Sequence, residues 1–187
     1  MQQIEGDRVI LILGGVRSGK SRYAQRLAER MDRVTFIATA ERRDDREMRL
    51  KIERHRAERP SSWTTVEEPL DLQVAIQSVD GSCDAVVVDC LTLFAANLLE
   101  TLGHDEQKLH SLIDGLFDAL RSASCTVILV SNEVGSGVVP AYASGRRFRD
   151  LVGEINQRVA AIADTVLLMV AGLPLVLKGP AGAEVRP

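Results

Sequence analysis

Eight residues near the start of the chain have the types and spacing of a loop that wraps phosphate groups. They match the pattern G-x-x-x-x-G-K-[S/T] and are Gly14, Gly15, Val16, Arg17, Ser18, Gly19, Lys20 and Ser21. Glycines let the backbone curl until successive N–H groups point at phosphate oxygens, and a following helix adds its positive end. Lys20 would bridge the outer phosphates, and the Ser21 hydroxyl would bind Mg²⁺. The pattern predicts a site for GTP or ATP.

A carboxylate at the end of a buried apolar run could complete the metal site. Asp89 ends the run DAVVVD, where proteins with this loop hold Mg²⁺, often through water. The same residue could instead cap the helix predicted for residues 91–101. Together with the phosphate loop, the metal role is favoured. The predicted metal ligands are therefore Ser21 and Asp89.

Apolar runs separated by helix-forming stretches predict the elements that position these residues. Strands are predicted at residues 8–13, 34–38, 84–89 and 126–131, with a hairpin at 166–170 and 173–177. Helices are predicted at residues 20–31, 44–58, 91–101, 106–122 and 146–163. This alternation predicts an α/β fold: a mostly parallel sheet between helix layers, the three-layer sandwich of P-loop NTPases. Ligands of such sheets bind beyond the carboxyl ends of the strands.

Composition limits the classes of function. With 187 residues, 45% of them hydrophobic and 26% charged, residues 1–187 are predicted to form a single nucleotide-binding catalytic domain. A net charge of −3 argues against a nucleic-acid partner. The apolar run at residues 166–177 is too short to span a membrane and is broken by Gly172 and Pro174. The three cysteines, without a C-x-x-C pair, indicate buried thiols, so we expect a cytoplasmic protein.

One histidine lies in a basic, helix-forming segment. His55 follows Met48 and Ile52 at helical spacing, which fits a partly buried histidine on a core-facing stripe. Against this, Lys51 and Arg59 lie one turn before and after it. Such cations favour the neutral imidazole and attract a polyphosphate. A neutral imidazole beside a nucleotide is a competent nucleophile toward phosphorus.

Several motifs in order resemble one family, the bifunctional adenosylcobinamide kinase/adenosylcobinamide-phosphate guanylyltransferases of cobalamin assembly. The motifs are GGVRSGKSRYAQ, FIATAE at 36–41, DDREMRLKIERHRAERPSSW at 44–63, VVDCLTLFAANLL at 87–99, SNEVGSGVVP at 131–140 and FRDLVGEINQRVAAIAD at 148–164. The phosphate loop is generic. The His55 segment and the pairing of NEVGxGxVP with FRDxxGxxNQ are specific to the family.

The resemblance implies two reactions. In the first, a terminal phosphoryl group passes from ATP or GTP to the aminopropanol hydroxyl of adenosylcobinamide. In the second, His55 attacks the α-phosphorus of GTP, releases pyrophosphate and carries GMP to adenosylcobinamide phosphate. Lys20 and His55 are then the catalytic residues.

The resemblance also implies further nucleotide contacts and an assembly. The contacts carry over to Thr39, Ala40, Glu41, Arg56, Ala57, Glu58, Arg59, Glu67 and Asp89. The implied substrate is a corrinoid, and the implied assembly is a homo-oligomer, a trimer. Asn132, Glu133 and Gly135 follow a predicted strand, so we expect them to line the same crevice.

Two other functions use the same residues. A small-molecule kinase without a covalent intermediate would need the phosphate loop, Lys20 and Asp89, but would give His55 no special role. A nucleotide-dependent switch would need only binding and slow hydrolysis, although the sequence shows no dedicated interaction tail.

Overall fold

The computed structural model describes residues 7–40 and 59–179. Its strands are β1 (Val9–Gly14), β2 (Val34–Ala38), β3 (Thr64–Glu67), β4 (Ala85–Asp89), β5 (Thr126–Asn132), β6 (Thr165–Val170) and β7 (Leu173–Lys178). Its helices are α1 (Lys20–Ala28), α2 (Leu72–Val79), α3 (Leu91–Leu102), α4 (Glu106–Ser122) and α5 (Ala143–Ile162).

The described strands form one seven-stranded sheet in the order β3-β2-β4-β5-β1-β6-β7. All neighbours pair in parallel except β6 and β7, which form an antiparallel hairpin. The mostly parallel sheet and the hairpin predicted from the sequence are therefore confirmed. Because β5 lies between β1 and β4, the strand that enters the phosphate loop and the strand that ends in Asp89 are not direct neighbours.

Helices cover both faces of the sheet, as the continuous apolar strands predicted. On β1, Ile10 and Ile12 face a cluster that includes Tyr23 and Leu27 of α1. Alternate residues of the same strand, such as Leu11, face the larger cluster built with α2, α3, α4 and α5. This is the predicted three-layer sandwich, in which a buried sheet holds the strand ends in place.

The structure contains one strand and one helix that the sequence did not predict. Strand β3 is short and mostly exposed at the sheet edge, so it has no apolar run to signal it. Helix α2 buries Leu72 and Ile76, and Asp71 at its N-cap accepts a hydrogen bond from Val74 N at 3.0 Å. Asp71, a residue type favoured at the N-cap, is the feature of the sequence that could have indicated this helix. The helix predicted for residues 44–58 lies outside the described residues.

Helix α5 extends past the sheet. It runs back from the carboxyl ends of the strands, and its Asn156 Nδ2 donates to Asn132 O at the end of β5, at 3.1 Å. The preceding residues 143–155, about 20 Å of helix at 1.5 Å per residue, therefore lie beyond the strand ends. There Arg147 Nη1 donates to Gly103 O at the end of α3, at 2.6 Å. Arg147 thus ties the first turns of α5 to the end of α3. None of the helices in the described part of the chain combines the length and the apolar composition that a membrane span requires.

Candidate nucleotide site

The phosphate loop joins β1 to α1 by backbone conformations that suit glycine. Gly19, the N-cap of α1, has φ 94°, in the left-handed region where a side chain is disfavoured. Arg17 also has a positive φ, 58°. Within the loop, Ser18 N donates to Gly15 O at 3.3 Å, which closes a tight turn. The loop therefore has the compact curl predicted from its glycines.

The turn between β6 and β7 packs against this loop. Gly172 N donates to Ser18 O at 2.9 Å. A Cβ on Gly19 would lie 3.2 Å from Gly172 Cα, and a Cβ on Gly14 would lie 2.8 Å from Met169 O. The contact at Gly14 leaves no room for a side chain, and a side chain at Gly19 would fit only if Gly172 shifted by a few tenths of an ångström. The hairpin is thus a support for the phosphate loop, and local sequence patterns contain no signal for that contact.

The start of α1 is suited to an anion. Among the described residues, no side chain caps the helix, and its first turn holds no acidic residue. Lys20 Nζ donates to Gly15 O at 3.1 Å, so the lysine folds back over the loop. Ser21 follows in the first turn and is partly exposed. A positive helix end, a lysine and a hydroxyl therefore face the same small region.

Asp89 lies at the end of β4 beside a buried junction. The N-cap of α3 is Cys90, and no side chain of the described residues caps that helix, so Asp89 does not have the capping role considered from the sequence. Thr39 Oγ1 accepts a hydrogen bond from Cys90 N at 2.7 Å and donates one to Cys90 O at 2.8 Å. Burial raises the pKa of Cys90 to about 11, with the nearby Asp89 carboxylate as a further cause. The thiol therefore stays neutral and structural.

Buried side chains connect the ends of β2, β4 and β5. Asn97 Nδ2 of α3 donates to Thr39 O at 2.8 Å. At the second residue of α3, Thr92 Oγ1 accepts from Asn132 N at 2.7 Å. The carbonyl oxygen of Asn132 accepts the hydrogen bond from Asn156 Nδ2 of α5, so both backbone polar groups of Asn132 are bonded to helix side chains. The strand ends are therefore held by the helices that cover them.

The loop that follows β5 begins beside the phosphate loop. Asn132 pairs with Gly14 in the sheet, and Glu133 N donates to Gly14 O at 3.2 Å. Glu133 Oε1 then accepts from Gly135 N at 2.7 Å, so this side chain braces its own loop. Asn132, Glu133 and Gly135 thus lie along the same edge as the phosphate loop, as expected.

The remaining predicted residues differ in what the structure shows. Thr39 is fully buried, and its polar groups bond within the protein, since Thr39 N donates to Asp89 O at 3.2 Å. Glu67 ends β3 beside Ala38 at the same sheet edge, and Ala40 follows β2. The Arg59 guanidinium lies over the Phe36 ring, 3.5 Å from its centroid.

The other predicted residues lie outside the described ones: Glu41, His55, Arg56, Ala57 and Glu58. The structure brings together the phosphate loop, Thr39, Glu67 and Asp89 along one edge of the sheet. Their roles toward a nucleotide stay predictions.

Comparison with known proteins places the chain in a defined group. Residues 10–177 match the family model described as cobinamide kinase / cobinamide phosphate guanyltransferase. The bifunctional adenosylcobalamin biosynthesis protein CobP of Pseudomonas aeruginosa is 46% identical over 170 residues, which are 90% of this chain and 96% of that protein. The corresponding protein CobU of Escherichia coli K12 is 39% identical over 181 residues, 91% of this chain and 99% of that protein.

Solved structures support the fold alone. A prototypical ATPase of the type III secretion system of pathogenic bacteria matches with a TM-score of 0.56 at 13% identity, over 90% of this chain and 56% of that one. The ATPase EscN of enteropathogenic Escherichia coli matches with a TM-score of 0.57 at 14% identity, over 88% of this chain and 43% of that one. Both likenesses agree with the P-loop type of sheet predicted from the sequence.

Proposed function

We propose a function for this chain on one premise: it belongs to the cobinamide kinase / cobinamide phosphate guanyltransferase family. The proposed enzyme phosphorylates adenosylcobinamide with ATP or GTP. It then transfers GMP from GTP to adenosylcobinamide phosphate, which yields adenosylcobinamide-GDP and pyrophosphate. The observation that supports this most is the curled loop at Gly14–Gly19, next to an uncapped helix start and on the same edge as Asp89.

In the kinase step, the loop and Lys20 bind and orient the triphosphate. The N-terminal end of α1 and the Lys20 ammonium oppose the negative charge on the outer phosphates. The hydroxyl oxygen of the aminopropanol arm forms a bond to the terminal phosphorus and its proton passes to solvent. The bond from that phosphorus to the bridging oxygen breaks, and the nucleoside diphosphate leaves. A protein contributes to this chemistry mainly by aligning the attacking and the leaving oxygen with hydrogen-bond donors that are fixed in place.

A hydroxyl and a carboxylate are donors of the type that Mg²⁺ prefers, so Ser21 and Asp89 fit the predicted metal. Ser21 lies in the first turn of α1, and the partly exposed Asp89 does not cap α3. In this role Ser21 would bind directly and Asp89 through water. When bound, the ion neutralises charge on the phosphate oxygens.

In the guanylyl step, His55 is the proposed nucleophile. Its neutral imidazole nitrogen attacks the α-phosphorus of GTP, a phosphorus–nitrogen bond forms, and pyrophosphate leaves with the electrons of the broken bond. A phosphate oxygen of adenosylcobinamide phosphate then attacks the same phosphorus. The phosphorus–nitrogen bond breaks, and the imidazole leaves, assisted by protonation. One displacement between two anionic substrates is thus replaced by two displacements, each with a lower barrier.

The nucleotide contacts implied by the resemblance belong to this proposal. They are Thr39, which is fully buried and would act by holding the Asp89–Cys90 junction, and Ala40, Glu41, Arg56, Ala57, Glu58, Arg59 and Glu67. We also propose a single catalytic domain at residues 1–187, a cytoplasmic location and a homotrimer. Sedimentation velocity tests the assembly: a species of three chains is expected, and a monomer at micromolar concentration contradicts it.

Labelling with GTP radioactive at the α-phosphate tests the mechanism. Wild type should gain a protein-bound label that is acid-labile and alkali-stable, and His55→Ala should gain none. His110→Ala is the matched control, because His110 is exposed on α4 and should label like wild type. Phosphorylation of adenosylcobinamide is followed separately, and His55→Ala should retain some of it. Full GMP transfer by His55→Ala rejects the nucleophile, whereas a wild type that phosphorylates but never labels favours the plain kinase.

A further inference from the structure

The loop between β5 and α5 exposes large apolar side chains. Val138 is 95% exposed, Val139 60% and Tyr142 80%. Val16, at the tip of the phosphate loop, is 82% exposed. Apolar side chains that project together into water commonly mark a surface that another molecule covers. We call Val138, Val139 and Tyr142 the apolar loop tip.

Specific contacts hold the loop in its outward position. Arg146 Nη1 donates to Pro140 O at 3.0 Å and to Ala141 O at 2.7 Å. A Cβ on Gly145 would lie 2.8 Å from Pro140 Cβ, so this proline rests directly on the first turn of α5. With Glu133 N bonded to Gly14 O at the other end, the loop is anchored on both sides of its apolar tip. Both ends of the loop are therefore held by contacts within the chain.

The loop that carries the tip starts beside the place where the chemistry is proposed. The loop leaves β5 at Asn132, which pairs with Gly14 at the start of the phosphate loop. It ends at α5, whose first half stands beyond the strand ends. The loop that carries the apolar tip thus begins at the phosphate loop and ends at the start of α5.

We propose that the apolar loop tip binds the corrin ring of the substrate while the aminopropanol arm reaches the phosphate loop. The inference rests on the proposed function. A corrin ring is broad and has apolar faces and methyl groups, so it needs an apolar surface beside the phosphates rather than a small enclosed pocket. An aromatic ring and two valines supply such a surface, and the Tyr142 hydroxyl can reach an amide on the ring periphery.

Serine substitution of the loop tip tests this assignment. We expect the double variant Val138→Ser/Tyr142→Ser to raise the KM for adenosylcobinamide about tenfold or more, because ring contacts are lost. Self-labelling with α-labelled GTP involves no corrinoid and should proceed at the wild-type rate. Tyr142 is the N-cap of α5, where serine is favourable, so the helix start is preserved. Tyr142→Phe keeps the ring and should remain within about threefold of wild type.

Leu177→Ser is the matched control, because Leu177 is 55% exposed but lies near the opposite end of the sheet, on β7. Its corrinoid KM should not change. Equal KM values in wild type and the double variant overturn the proposal, as does a changed sedimentation coefficient with an unchanged KM, which makes the tip a contact between copies.

Equilibrium dialysis of adenosylcobinamide separates this inference from the proposed function. A wild type that binds the corrinoid but does not phosphorylate it rejects the function, and weaker binding by the double variant still supports the loop tip. A wild type that binds no corrinoid overturns the loop-tip assignment.

Discussion

Two strand ends on the same edge of the sheet are built in different ways. At the end of β1, the phosphate loop is shaped by glycine conformations and backbone contacts, including the bond from Gly172 N to Ser18 O. At the end of β4, the Asp89–Cys90 junction is shaped by side chains, chiefly the paired hydrogen bonds of the Thr39 hydroxyl. The first region can be recognised from a short motif. The second depends on residues that are distant in sequence.

The difference has a physical basis. A loop that presents N–H groups to phosphate needs its backbone free of side-chain interference, so close packing against glycine is the means of support. A carboxylate that must stay partly exposed needs the backbone behind it fixed from within, and buried hydroxyl and amide groups do this. Substitutions at the ends of β1 and β4 should therefore impair the protein in different ways.

Gly14→Ala should have the largest combined effect, because at the backbone-built end it lowers both the stability of the protein and its affinity for GTP. A Cβ there would lie 2.8 Å from Met169 O and 2.5 Å from Ser18 Oγ, so the loop or the hairpin must move. We expect a loss of about 1–3 kcal/mol in unfolding free energy and about 10–100-fold weaker GTP binding. Denaturant unfolding and calorimetric titration measure the two effects.

Its matched control is Gly15→Ala, because a Cβ at Gly15 would meet no atom within 4 Å. Its unfolding free energy should stay within about 0.5 kcal/mol of wild type. If both alanines destabilise the protein equally, close packing is not what supports the loop.

Thr39→Val should have the next largest effect and acts on the side-chain-built end. The valine cannot bond Cys90 N or Cys90 O, both in a buried setting, so we expect a loss of about 2–3 kcal/mol in unfolding free energy. Thr39→Ser keeps the hydroxyl and should lose only about 1 kcal/mol, for the missing methyl group. Guanidinium unfolding measures both variants, and equal losses would show that packing, not the hydroxyl, fixes the junction.

High pH should weaken the side-chain-built end. The Cys90 pKa is raised from 9.0 to about 11, so neutral Cys90 favours the folded state below pH 9, and this advantage is lost as pH rises toward 11. Near pH 10 the loss attributable to this thiol should be about 1.4 kcal/mol. Comparing unfolding free energies of wild type and Cys90→Ala between pH 8 and 11 isolates it. A difference that does not change with pH contradicts the raised pKa.

Asn156→Leu should have the smallest effect. It removes the donor to Asn132 O from a buried position on α5, which costs about 1 kcal/mol of unfolding free energy. The neighbouring Gln157 is exposed, so Gln157→Leu should stay within about 0.5 kcal/mol of wild type. Thermal or denaturant unfolding measures both variants. Equal losses of unfolding free energy in the two would mean that the hydrogen bond from Asn156 to β5 does not contribute to stability.

Most of the sheet could be predicted because its strands are buried on both faces. The predicted and observed bounds of β2 agree, β1 is shifted by one residue at both ends, and β4 begins one residue later than predicted. Edge strand β3 could not be found in this way, since exposed residues impose no apolar pattern. For the candidate site, the glycines identified the phosphate loop, but nothing local to Thr39 indicates that its hydroxyl is used by Cys90.

The sequence by itself determined the α/β class, the curl of the phosphate loop and the order of the buried strands, because each follows from the local periodicity and conformational limits of neighbouring residues. Only the tertiary structure decided which distant parts support the site: the β6–β7 turn under the phosphate loop, the Thr39 hydroxyl at Cys90 and the amide of Asn156 at β5. Such contacts join residues that are far apart in the chain. They exist only once the sheet has set the distances between its strand ends.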